Sequence, residues 1–126
     1  MTYFGYVSPK SFGNFNLPVP YQNKLLRMRA SELGTSFGLG VGEIVLPDCY
    51  IGLFETLRTA NPGDIIGCCS VQLLPKDERL EILQEFLDKR ELLMDFLFEF
   101  TGVQGEILKL VQNLDWADTI GREVDR

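Results

Sequence analysis

The chain has 126 residues, 12 basic against 18 acidic, for a formal charge of −6, and it contains no histidine. The length fits one domain, which can bury roughly two thirds of the surface its unfolded chain exposes. Without imidazole, Ser-His-Asp and Cys-His catalysis and histidine zinc sites are excluded, and the acidic balance opposes non-specific nucleic-acid binding, which needs a basic surface.

The first strand is predicted over Thr2 to Ser8, apolar and aromatic. This N-terminal run has no basic flank and is too short for a signal peptide. A loop rich in Gly, Pro and Asn follows from Pro9 to Pro20, long for a strand–helix connection, and long loops in compact domains are often functional. The first helix is predicted from about Tyr21 to Leu33, with Gly34 as its C′ residue. The second strand falls within Phe37 to Leu46. Gly38, Gly40 and Gly42 recur at period two and leave one strand face bare for close approach of another element. Pro47 ends that strand and Asp48 can cap a second helix, in which Tyr50, Leu53, Phe54 and Leu57 form a buried stripe at i, i+3, i+4, i+7. Asn61-Pro62-Gly63 closes it.

The third strand, Asp64 to Val71, is apolar on both faces, as a central parallel strand should be. Pro75 and Asp77 open a third helix with Leu80, Leu83 and Leu87 on one side, Ile82 and Phe86 beside them, and Lys89-Arg90 in the last turn. The fourth strand is predicted over Leu92 to Phe100. A last helix, about Gly102 to Ile120, carries Val103, Ile107, Val111 and Leu114 as a stripe. Four alternations of strand and helix predict a single α/β domain over residues 1–126. The expected form is a three-layer α/β/α sandwich with a four-stranded, mainly parallel sheet in flavodoxin-like order 2-1-3-4, and its switch point lies between strands one and three.

In such a sheet, ligands bind beyond the carboxyl ends of the strands at the switch point. Ser8, Glu43, Ser70 and Gln72 fall at strand ends on that edge. Gln22, Asn23 and Arg27 sit at or near the start of the first helix, and Cys49 and Tyr50 open the second. Glu43 is either a solvated edge-strand carboxylate or a buried one paired with Arg27. Cys49 is either packing or a thiol activated in the first turn of a helix. Cys68 and Cys69 are expected in the core. With three cysteines and no CxxC spacing, a reduced, cytoplasmic setting is expected. No apolar run approaches the roughly 20 residues of a membrane span. Gly38-Leu39-Gly40-Val41-Gly42 lacks both the dinucleotide spacing and a Walker lysine. Asp48, Glu43 and Cys49 match no metal-ligand spacing, so no cofactor or metal is expected.

Two resemblances bear on these residues. Gly5-Tyr6-Val7-Ser8, Gln22, Pro62-Gly63-Asp64-Ile65-Ile66 and Leu73-Leu74 distantly resemble the catalytic domain of serine recombinases (resolvases) in order of elements. The recombinase chemistry does not transfer, because Gln72-Leu73-Leu74-Pro75-Lys76 stands where that family has its Asp-Arg-Leu-x-Arg motif, and phosphodiester transfer needs those guanidinium groups. More closely, Gly5-Tyr6, Val19-Pro20, Gln22-Asn23 with Arg27, Glu43 with Leu46-Pro47-x-Cys49-Tyr50, and Ser70-x-x-Leu73-Leu74-Pro75 are similar to the small "sporadic carbohydrate cluster" proteins. That resemblance implies a place in surface polysaccharide or lipopolysaccharide biosynthesis. The expectation is a small enzyme, or enzyme subunit, acting on a sugar or sugar nucleotide. Arg27 would hold an anionic group, Glu43 would serve as acid/base and Cys49 as an alternative nucleophile, while Ser8, Gln22, Asn23, Tyr50, Ser70 and Gln72 would bind the ligand. The alternative is a non-catalytic partner of a glycan-biosynthesis enzyme, or a homodimer built on the stripe of the last helix.

Overall fold

The computed structural model describes residues 1–10, 17–40, 43, 49–99 and 102–111. Four parallel strands, β1 (Thr2–Tyr6), β2 (Ser36–Leu39), β3 (Ile65–Cys68) and β4 (Leu93–Phe96), form one sheet in the order β2-β1-β3-β4. Three helices connect them: α1 (Val19–Glu32), α2 (Ile51–Thr59) and α3 (Arg79–Arg90). The switch point therefore lies between β1 and β3, as the alternation predicts.

The helices take opposite faces. Leu26 of α1 lies over Gly5, and Arg29 of α1 reaches Asp95 of β4. On the other face Thr56 of α2 lies against Gly40, and Phe54 of α2 meets Phe86 of α3 with ring centroids 5.8 Å apart. β3 is buried at every position, which is why Ile65 to Cys68 reads as continuously apolar. Leu26, Leu53, Leu57, Leu83 and Leu87 supply the fully buried helix side.

A row of interactions crosses the α1 face. Tyr3 of β1 lays its ring over Gly67 of β3 and donates its hydroxyl to Asp95 Oδ2 of β4 at 2.8 Å. Arg29 Nε donates to the same oxygen at 3.0 Å. Any Cβ at position 67 would fall inside the Tyr3 ring, so glycine is the residue that lets β1 reach β4 across its neighbour. The bare face expected of the second strand is present too. A Cβ at Gly38 would meet the Phe4 ring at 2.9 Å, and one at Gly40 would meet the Gly5 carbonyl at 2.8 Å. Gly42 lies outside the described residues.

Element boundaries differ from the sequence expectation for local reasons. β1 ends at Tyr6, because Ser8 leaves the ladder to pair with Gln22. α1 starts two residues early, since Pro20 is tolerated in a first turn. It ends in a Schellman motif, with Gly34 at φ +70° and Thr35 N–H donating to the Ala30 carbonyl. Strand pairing of β2 ends at Leu39; Ile44 to Leu46, Pro47 and the capping role of Asp48 lie outside the described residues. β4 ends at Phe96, although Leu97 and Phe98 still donate to the Cys68 and Cys69 carbonyls. Ile82 is exposed, not packed beside the leucines of α3.

The last helix starts at residue 107, not at Gly102. Residues before it are drawn to the sheet edge, where Gln104 and Met94 form an antiparallel bridge. Gln84 of α3 fixes the start: its Oε1 accepts from Ile107 and Leu108 N–H, and its Nε2 donates to the Gly105 carbonyl. Ile107 is fully buried, and Val103 and Val111, half-buried, pack on the core of their own chain. Leu114 and the chain beyond it lie outside the described residues.

Gly67→Ala should expel the Tyr3 ring and cost about 3 kcal/mol, as overpacking of a close-packed core does. Tyr3→Phe, which removes only the hydrogen bond to a carboxylate, should cost about 2 kcal/mol. Urea unfolding measures both, and an unchanged midpoint in either variant contradicts this packing.

Candidate functional site at the carboxyl edge

β1 and β3 end side by side, with Tyr6 paired to Cys68. Ser8 is buried beyond β1, and Gln22 of α1 holds it through its backbone: Ser8 N–H donates to Gln22 Oε1 at 3.2 Å, and Gln22 Nε2 donates to the Ser8 carbonyl at 2.7 Å. The second Nε2 proton goes to the Leu17 carbonyl at 2.8 Å. Both amide donors of Gln22 are therefore engaged within the chain. Ser8 Oγ accepts from Lys10 N–H at 3.3 Å. Asn23, next on the helix, has a buried Oδ1 without a partner among the described residues.

Glu43 stands on the α2 side of the edge. Its Oε1 accepts from Leu53 N–H at 2.8 Å, in the first turn of α2. Tyr50 is the N-cap and makes no side-chain cap bond, so Glu43 caps this helix from ten residues upstream. Its Oε2 is buried and has no partner among the described residues. The expected Arg27–Glu43 pair is not formed. Arg27 belongs to α1 on the opposite face, where its exposed guanidinium lies 4.8 Å from the Phe37 ring centroid.

Cys49 is half-buried and precedes the N-cap of α2, rather than lying in its first turn. Its carbonyl accepts from Lys10 Nζ. The same ammonium sits 3.7 Å from the centroid of the Tyr50 ring, and the Arg79 guanidinium lies 4.7 Å from it. Tyr50 thus has two cations at its ring, of which Arg79 is already paired with Asp77, Nη2 to Oδ2 at 2.6 Å. Lys10 stands out in the sequence only as a lysine near Ser8 that could activate it or bind a phosphate, and Arg79 does not stand out, because only the fold brings residues 10, 50 and 79 together.

Ser70 is buried and donates to Glu99 Oε2 at 2.9 Å, while Glu99 Oε1 accepts from Val71 N–H at 2.8 Å. Ser70 Oγ also accepts from Gln72 N–H at 3.2 Å, capping a short 3-10 turn over Val71–Leu73. The Gln72 side chain is exposed at the same edge. Glu99 is a further carboxylate at the edge, set there by the continuation of β4 pairing through Phe98. Cys68 and Cys69 are fully buried, and burial pushes both thiols up, Cys69 to about 12, so they are core groups and not nucleophiles.

Tyr6 is the site residue that sequence reasoning missed, hidden in an aromatic strand that reads as core. It is fully buried, and its hydroxyl has no partner among the described residues. Burial raises its pKa above the ordinary tyrosine value, and the Glu43 carboxylate raises it further. A separate cleft of about 450 Å³ opens on the α1 face beside Arg29, Asp95 and Met28. None of the predicted site residues lines it. Among the described residues no acidic or thiol cluster is arranged to hold a metal ion, and no helix is long and apolar enough to cross a membrane. No protein-family model, curated protein or solved structure matches the chain.

The two buried tyrosines make stability pH-dependent. Burial raises the folded-state pKa of Tyr3 and of Tyr6 above the unfolded value of about 10. Their contribution is therefore complete below about pH 10 and is lost as pH rises from there towards the folded values. The urea midpoint of the native protein should fall between about pH 9 and pH 11, and more shallowly in Tyr3→Phe and Tyr6→Phe. Identical slopes in all three proteins contradict this assignment.

Proposed function

We propose that this chain is a cytoplasmic component of surface-carbohydrate biosynthesis that binds a sugar or sugar nucleotide at the carboxyl edge of β1 and β3. The single observation behind the site is Glu43: one carboxylate oxygen is fixed by the start of α2, and the other is buried with no partner among the described residues. A held carboxylate with a free oxygen is suited to accept from a ligand hydroxyl or to take a proton from one. Lys10, beside the Tyr50 ring, supplies positive charge for a phosphate at the same edge. The pathway rests on the resemblance of Gly5-Tyr6, Gln22-Asn23, Glu43, Cys49-Tyr50 and Ser70-x-x-Leu73-Leu74-Pro75 to the sporadic carbohydrate cluster proteins.

Within this proposal Glu43 is the acid/base candidate. Ser8, Gln22 and Ser70 shape the edge through bonds within the chain, and Asn23, Tyr50 and Gln72 are left as contact residues. Cys49 is a poorer nucleophile candidate outside the helix than it would be in its first turn. Arg27, stacked on Phe37 on the other face, is replaced by Lys10 as the anion contact.

Backbone amide spectra titrated with UDP-glucose, glucose 1-phosphate and free UDP test the site. Saturable shifts should gather at Lys10, Glu43, Tyr50 and Leu53, and Glu43→Gln should weaken binding about tenfold, the loss of one charge-assisted hydrogen bond. Shifts confined to the cleft beside Arg29, or no saturable shift with any of the three compounds, would remove the edge as the site.

A further inference from the structure

α1 carries two lines of side chains. Gln22, Leu26 and Ala30 form the buried one, which seats the helix on the sheet. Tyr21, Leu25, Met28 and Glu32 form a second at i, i+4, i+7 and i+11, the spacing of a helix–helix seam. A helix packed on one sheet needs only the first. Along the second, Tyr21 is 61% exposed and Met28 54% exposed, and Leu25 is half-buried. The other described helices lie elsewhere: α2 meets α3 on the opposite face, and the helix beginning at residue 107 starts against Gln84 of α3. The cleft of about 450 Å³ opens along this second line. Leu25, Met28 and Glu32 line it from α1, and Phe96, Leu97 and Gly102 line it from the β4 side. Single exposed apolar residues are ordinary, but a line of them beside a groove marks an interaction surface.

The charges select the occupant. Arg29 is taken by Asp95 at 3.0 Å, and Arg27 is stacked on Phe37. Two charges remain along the line. Lys24, at its start, is exposed and has no ion pair among the described residues. Glu32, at its end, has a side chain 65% exposed and a contact of 3.4 Å to Arg29, and exposed pairs of that kind contribute little. The line is therefore phenolic and positive at one end, apolar in the middle and negative at the other end. Such a surface is complementary to itself after a two-fold rotation. With two copies of α1 antiparallel and centred between Leu25 and Met28, each Leu25 meets the other copy's Met28. Tyr21 and Lys24 then meet the other copy's Glu32. Parallel pairing would set lysine beside lysine and glutamate beside glutamate.

We propose that a second copy of this chain docks antiparallel on the Tyr21–Leu25–Met28–Glu32 line of α1, with its Met28 entering the cleft. α1 has 14 residues and is about 21 Å long. An interface built on it is smaller than the roughly 800 Å² per partner of a standard complex, so monomer and dimer exchange with concentration. This inference does not rest on the reading of the carboxyl edge as a ligand site.

Sedimentation velocity of the full chain up to about 1 mM tests it, and the native protein should shift from monomer to dimer within that range. Met28→Asp should weaken association at least about a hundredfold, because it sets two carboxylates in the apolar centre. Lys24→Glu and Glu32→Lys should each weaken it about fivefold or more. The double exchange should restore it, because the facing charges are then opposite again. These three positions are exposed, so the urea midpoint of each variant, read at the lowest concentration, should stay near the native one. Should Met28→Asp fail to fold, the charge exchange decides. A native chain that remains monomeric at about 1 mM overturns the proposal. So does a dimer that keeps its affinity in Met28→Asp, since another surface then holds it. A double exchange that recovers no affinity overturns the antiparallel pairing.

Discussion

The carboxylate of Asp95 is the point on which the rest of the structure depends. It is almost wholly buried in an edge strand and would be prohibitively costly there without partners. Tyr3 reaches it from two strands away, and Arg29 reaches it from α1. The bond from Tyr3 exists only because position 67 has no side chain. One carboxylate thus fixes the distance from β1 to β4 and the placement of α1 over the sheet. The same face bears the cleft beside Arg29, whose guanidinium is engaged by Asp95 and, at 3.4 Å, by Glu32. The Tyr6 hydroxyl and Glu43 Oε2, buried without partners among the described residues, lie on the α2 side instead.

A second regularity concerns helix ends. None of the three helices has a side-chain cap from its own N-cap residue. At α3 the neighbouring Asp77 accepts from Arg79 N–H at 2.9 Å, but elsewhere the work is done over distance. Glu43 caps α2, Gln84 caps the helix beginning at residue 107, and Arg90 donates to the Arg58 and Ala60 carbonyls at the end of α2. Gln22 and Glu99 tie loops at the carboxyl edge in the same manner. Local caps would let each helix form independently. Long-range caps make helix ends conditional on the assembled sheet, so the edge and its loops take shape together. A carboxylate such as Glu43 is then held by one oxygen, while the other is buried without a partner among the described residues.

Much of the fold was legible in the residues because it rests on periodicity. The apolar run of β3, the leucines of α3, Gly34 and the alternating glycines each carry a local signature, and the order 2-1-3-4 follows from the alternation of strands and helices. Boundaries were less legible where a distant side chain competes with local preference. Ser8 reads as strand until Gln22 takes its backbone, and Gly102 reads as helix until Met94 takes Gln104. For the candidate site the sequence shows which residues share the edge but not the contacts they make. Topology places Ser8, Gln22, Glu43, Tyr50 and Ser70 there, but which of them spend their polar atoms on the chain depends on distances no spacing rule contains. Arg27 shows this most clearly. It was paired with Glu43 by proximity in the topology, yet the sheet stands between them, and Phe37 holds it.

The absence of histidine gains meaning from this arrangement. Proton transfer without imidazole needs another side chain, such as a carboxylate, thiol, amine or phenol. Among the described residues Glu43 Oε2 is a buried carboxylate oxygen without a partner. Burial, and after it the Glu43 carboxylate, hold the proton on Tyr6, so that this tyrosine does not ionise near neutral pH. At the Tyr50 ring the Arg79 cation is balanced by Asp77 within the chain.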